Sequence, residues 1–160
     1  MIITAIIIGI ALSMDTFSLA ILYGTLNFTL KRVLQISISV GVFHFLMPII
    51  GDSIGHLIVN IIKIPPSILA GTIFILLSLQ MFLSVFKKEE ITKIDNWWTI
   101  ILFSFTVSID SFTIGIGLNQ DMTIIYPIIF MIISSVFTYV GLKLGCKLNQ
   151  SFGKYSIILG

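Results

Sequence analysis

Apolar residues run almost unbroken through five stretches of the chain, and most charged residues gather in the short segments between them. The stretches cover about Ile2 to Gly24, about Val33 to Ile54, Ile64 to Phe86, Trp97 to Leu118, and about Met122 to Leu142. Each is long enough to cross ~30 Å of hydrocarbon, which takes ~20 residues at 1.5 Å per residue. Inside a bilayer such segments must be helical, because an open strand leaves backbone groups unpaired in lipid. The pattern predicts an all-α, polytopic transmembrane bundle forming one domain over residues 1–160. The connecting segments LNFTLKR, HLIVNIIKIPP, KKEEITKID and NQD leave no room for a soluble domain.

Composition agrees with this. The chain is 57% hydrophobic and 10% charged, with a mean hydropathy of +1.13. Nine Lys and Arg and seven Asp and Glu cannot form the polar shell that a soluble core of this size requires. The net charge of +2 carries little information about partners and gives no reason to expect nucleic acid. The start, MIITAIIIGIALSMD, has no basic segment and carries Asp15 within its apolar run, so no cleavable signal peptide is expected. The single cysteine, Cys146, excludes an internal disulfide and a multi-cysteine metal site.

The position of the positive charges sets an expected orientation. With the N-terminus outside, the cytoplasmic side receives Lys31, Arg32, Lys87, Lys88, Lys93, Lys143, Lys147 and Lys154, and the outer side only Lys63. This predicts a multi-pass plasma-membrane protein with its C-terminus in the cytoplasm. Trp97 and Trp98 open the fourth helix where an interfacial aromatic belt belongs.

The sequence also repeats itself. Ser13-Met14-Asp15-Thr16-Phe17-Ser18 in the first helix returns as Ser108-Ile109-Asp110-Ser111-Phe112-Thr113 in the fourth. Two complete helices separate the copies, so they cross the membrane in opposite directions, as in the inverted repeats of many secondary transporters. Gly51 and Gly55 are answered by Gly141 and Gly145. The expected halves are residues 1–90 and 95–160, three helices and two. By either offset Gly160 corresponds to a position between Pro65 and Ala70, where the third helix of the first half begins.

Asp15 and Asp110 are the main candidates for chemistry. Counted at 1.5 Å per residue, they lie ~20 Å and ~18 Å along their helices, near the middle of the membrane. A carboxylate there costs ~2.5–3.5 kcal/mol, and no Lys or Arg shares the layer. Protons or a cation from outside the chain must then neutralise them, which favours a cationic substrate. The alternative is a pair of protonated carboxyls hydrogen-bonding between helices. Ser13, Thr16, Ser108 and Ser111 beside them are candidate supporting ligands, or small packing residues of the kind common at membrane helix interfaces. Oxygen donors with at most one imidazole favour Mn²⁺ or Mg²⁺ over copper, with Zn²⁺, Fe²⁺ and Co²⁺ left open by ligand type.

His44 is the remaining candidate metal ligand. Ser37, Gly41, His44, Pro48 and Asp52 share one face of the second helix at helical spacing. Pro48 has no N–H, which frees the carbonyl of His44 four residues back. Both the imidazole and that carbonyl are thereby available to a cation. The competing reading is a proline kink with a neutral, hydrogen-bonded histidine. Asp52 and His56 read as solvated surface groups, Gly141 and Gly145 as a close helix contact, and Cys146 as inert. No phosphate-binding G-x-x-x-x-G-K-[ST] loop occurs, so the sequence points to a transporter that runs on an ion gradient or down its substrate's own gradient, and not to an enzyme.

Together these motifs resemble the MntP family of manganese efflux pumps, small six-helix bacterial membrane proteins distantly similar to the LysE exporters. The resemblance rests on Gly9-Ile10-Ala11-Leu12-Ser13-Met14-Asp15-Thr16-Phe17, on Gly41-Val42-Phe43-His44-Phe45-Leu46-Met47-Pro48-Ile49-Ile50-Gly51, on Ser108-Ile109-Asp110-Ser111-Phe112 with Gly115-Ile116-Gly117-Leu118, and on Gly153 to Gly160. It implies export of Mn²⁺ as substrate, with Asp15 and Asp110 essential and no resident cofactor. His44 stands where some members of the family carry glutamate. The sequence ends at the Leu-Gly that leads into the family's last helix, which gives the expectation of a homo-oligomer or a partner replacing a sixth helix.

Overall fold

A computed structural model of the protein describes residues 2–62, 96–118 and 123–159, together with Ile68, Gly71, Thr72, Ile75, Leu79 and Ile94. Five helices lie in these segments: α1 (Ile2–Gly24), α2 (Leu30–Ile62), α3 (Trp97–Val107), α4 (Ile109–Leu118) and α5 (Ile125–Leu159). They supply four spans long and apolar enough to cross a membrane, one of them formed by α3 and α4 in succession. Among the described residues the secondary structure is entirely helical. The third expected span, Ile64 to Phe86, lies outside the described residues apart from single positions.

The helix boundaries follow local chemistry. After Gly24 the chain turns through Asn27, whose φ of 56° is a left-handed conformation that asparagine tolerates. Thr29 then starts α2, its hydroxyl accepting from the Arg32 N–H at 3.4 Å. At the start of α3 the Thr99 hydroxyl accepts from the Asn96 N–H at 3.1 Å. Pro48 lies inside α2 without ending it. The sequence pattern sets the end of the second span near Ile54 and the fifth at Met122 to Leu142, whereas α2 reaches Ile62 and α5 covers Ile125–Leu159. Hydropathy sees only the part that suits lipid, and a helix continues past it while backbone hydrogen bonds can form.

The fourth span differs from the continuous helix that its apolar pattern predicts. It breaks at Ser108, whose φ of −104° and ψ of 1° fall outside the helical range. There the Ser108 N–H donates to the Phe105 carbonyl at 3.2 Å, and the Ser111 N–H to the Ser108 carbonyl at 3.1 Å. These tight turns interrupt the regular helical bonding two residues before Asp110.

The bundle is apolar outside and partly polar inside. Ile3, Ile7, Ile10 and Met14 on α1, Ile38, Val42, Leu46 and Ile50 on α2, and Ile132, Val136, Val140 and Leu144 on α5 are exposed in rows three or four residues apart. Such rows suit contact with lipid tails. Ser13, Thr16, Ser37, His44, Ser108 and Ser111 are by contrast buried. Trp97 and Trp98 are exposed at the start of α3.

Small residues set which helices pack. A Cβ on Gly141 would meet that of Ala20 at 2.7 Å, and one on Gly145 would run into the Ile21 carbonyl and Gly24, so α5 lies tightly on α1. On α2, a Cβ at Gly51 would strike the Phe112 carbonyl and one at Gly55 would meet Ile116 at 3.2 Å, so α2 lies on α4 in the same way. Gly141 and Gly145 thus form the close contact that their spacing predicts. In both pairs the contacts advance in the same direction along the two chains, so the paired helices run parallel. The two interfaces also match by number: Phe17 and Phe112 are 95 apart, Ile21 and Ile116 are 95 apart, and their glycine partners are 90 apart.

Candidate metal-transport site

Polar residues occupy the stretch of α1, of α3 and α4, and of α5 between two apolar clusters. One cluster joins Ala20, Val40, Ile100, Phe103, Val107 and Leu142. The other joins Ala5, Leu12, Tyr126 and Phe130, with Ile114 against it. On α1, Ser13, Asp15 and Thr16 fall between Leu12 and Ala20. On α3 and α4, Ser108, Asp110 and Ser111 fall between Val107 and Ile114. On α5, Ser134 and Thr138 fall between Phe130 and Leu142. The result is a polar layer closed along the bundle axis by hydrocarbon on both sides.

Within that layer Asp15 and Asp110 meet. Asp15 lies close enough to Asp110 to act on its carboxyl. Asp110 is half-buried and Asp15 exposed, so the pair opens toward the face of α1 that also carries Ala11 and Ser18. Two carboxylates in contact repel each other unless a proton or cation intervenes, and no Lys or Arg falls in the layer among the described residues.

His44 is fully buried. Its Nδ1 lies 2.8 Å from Ser108 Oγ and 3.1 Å from the Val40 carbonyl, and its Nε2 has no hydrogen-bond partner. Ser37, Gly41 and Pro48 are buried on the same face of α2, and Asp52 is half-buried, as their spacing predicts. The imidazole therefore braces the Ser108 break. It does not join the two aspartates in one set, since among the described residues no three His, Cys, Asp or Glu side chains converge on a metal position.

The four candidate hydroxyls divide into two kinds. Ser13 donates to the Gly9 carbonyl at 2.7 Å, and Ser108 is engaged with His44. Thr16 Oγ1 and Ser111 Oγ are buried without partners. Asp52 and His56 approach to 3.7 Å in the C-terminal half of α2. The Cys146 thiol donates to Asn27 Oδ1 at 3.3 Å. Asn149 Nδ2 donates to the Thr25 carbonyl at 2.7 Å, and together these bonds hold the turn after α1 against α5.

Sequence reasoning missed Ser134 and Thr138, both fully buried in α5. The offset of 90 that relates the glycine pairs would have found them, because it places Ser134 opposite His44 and Thr138 opposite Pro48. The correspondence extends to the backbone. Pro48 cannot donate to the His44 carbonyl, and Thr138 Oγ1 donates to the Ser134 carbonyl at 2.7 Å.

Comparison with known proteins decides the family. A family model described as "Putative manganese efflux pump" matches residues 27–160. The chain belongs to the MntP family. Among curated relatives, a "Putative manganese efflux pump MntP" of Oceanobacillus iheyensis is 34% identical over 166 residues, covering 99% of this chain and 89% of the relative. Those of Geobacillus kaustophilus and Geobacillus thermodenitrificans, with the same name, are 32% and 31% identical, covering 95% and 96% of this chain and 85% and 86% of their own. No solved structure matches.

Proposed function

We propose that this MntP-family chain exports Mn²⁺ across the plasma membrane by alternating access, with Asp15 and Asp110 as the primary ligands. The observation that carries this reading is the nearness of the two carboxyls among polar residues that lie between two apolar clusters. Two carboxylates match the charge of one divalent ion, and the hydroxyl-rich surroundings suit a hard cation. The apolar clusters would serve as seals, each opening in turn while the other stays closed. The matched contacts of α1 with α5 and of α2 with α4 support two inverted halves that exchange roles in that cycle.

His44 acts in this scheme through Ser108 as a positioning residue. The interruption at Ser108 fixes the direction in which α4 presents Asp110, as broken helices do in many transporters. The N-terminus lies outside and the C-terminus in the cytoplasm, in accord with the bias of Lys and Arg. A second copy or another helix covers the open face that carries Asp15.

Growth in excess Mn²⁺ and cell-associated manganese, measured in a bacterium lacking its own exporter, test the proposal. Expression of this chain lowers cellular manganese and restores growth, and expression of Asp15→Asn does neither. Equal rescue by both would reject the aspartate site. Rescue from another divalent metal but not from Mn²⁺ would reassign the substrate.

A further inference from the structure

A hydroxyl in a helix has a local partner available, the carbonyl four residues back. Ser13, Ser37, Thr106 and Thr138 all use it, at 2.7–2.8 Å. Thr16 and Ser111 do not. Both are 0% exposed, and neither Thr16 Oγ1 nor Ser111 Oγ has a hydrogen-bond partner. Leaving a buried hydroxyl unpaired costs about 1–3 kcal/mol, so such a group calls for an explanation, of which a functional role or a bound water or ion are the usual ones.

The two unpaired hydroxyls occupy equivalent places. Thr16 follows Asp15 and Ser111 follows Asp110, one in each copy of the repeated motif and 95 positions apart. A residue that follows another in a helix lies ~1.5 Å further along the axis and ~100° further round. Each motif therefore offers a carboxylate and, a short step along and round the helix, a buried hydroxyl that leaves its local carbonyl unused.

We propose that Thr16 and Ser111 are substrate ligands, their hydroxyl oxygens entering the shell of the divalent cation directly or through one of its waters. This rests on the reading of Asp15 and Asp110 as the cation site. Two carboxylates and two hydroxyls supply four oxygen donors from α1 and α4 alone, and water completes the octahedral shell that Mn²⁺ favours. The equivalence of the donors gives each inverted half one carboxylate and one hydroxyl. Ser13 and Ser108 give no such sign, because their hydroxyls already have partners.

The test is the Mn²⁺-induced rise in melting temperature of the purified, intact protein in detergent, titrated to half-saturation. The double variant Thr16→Val, Ser111→Ala is expected to melt at the same or a higher temperature without metal, because it removes two unpaired hydroxyls. Its half-saturating Mn²⁺ concentration is expected to rise about tenfold or more, the scale on which supporting groups act at metal sites. Thr16→Ser, which keeps the hydroxyl, and Ser13→Ala, which removes an engaged one, retain the parental value. The single variants Thr16→Val and Ser111→Ala each shift in the direction of the double variant and carry the test if the double variant does not fold. A parental half-saturation in variants lacking either hydroxyl, or an equal loss in Ser13→Ala, would overturn the inference. Absence of any Mn²⁺ response in the parent would instead overturn the two-aspartate reading on which it rests.

Discussion

Ser108 Oγ lies 2.8 Å from His44 Nδ1, joining the residue that interrupts the fourth span to a buried imidazole of α2. Ser108→Ala removes this contact while leaving both aspartates in place. Because Nδ1 keeps the Val40 carbonyl, the expected loss in stability is about 1 kcal/mol. Export is expected to fall further than that loss accounts for, because Asp110 follows the break by two residues. Thermal unfolding and manganese efflux measured on the same variant separate the two effects.

Close packing gives a second expectation. Ala at Gly51 would place its Cβ against the Phe112 carbonyl, and Ala at Gly145 would do the same against the Ile21 carbonyl. Backbone oxygens cannot step aside as flexible side chains can, so the helices must separate. Each substitution is expected to cost about 1–3 kcal/mol and to lower the melting temperature in detergent. A Gly51→Ala protein as stable as the parent would show that α2 and α4 are not held this closely.

Orientation is open to a simple check. A fluorescent protein that matures only in the cytoplasm, fused after Gly160, is expected to be bright, in keeping with the eight Lys and Arg assigned to that side. A dark fusion, with an exported enzyme active at the same position, would invert the proposed topology.

Much of this architecture is legible in the residues. Apolar runs locate the four described spans, and helical spacing alone places Ser37, Gly41, His44 and Pro48 on the inward face of α2. The break at Ser108 is not legible, because the segment has neither proline nor glycine there and the same motif around Ser13 lies in an unbroken helix. What differs is the partner: Ser108 reaches His44, whereas Ser13 returns to its own backbone. The sequence also offers several hydroxyls beside the aspartates without telling which are satisfied locally. That distinction depends on side-chain rotamers and neighbours from other helices, as does the choice of α5 as the partner of α1.

Mn²⁺ flux through purified protein in liposomes tests the central claim most directly. With a manganese-quenched dye inside the vesicles, the parent chain is expected to give saturable quenching. Asp15→Asn and Asp110→Asn, each confirmed as folded, are expected to give the rate of protein-free vesicles. Parental rates in both variants, or no flux above protein-free vesicles for the parent, would contradict the account.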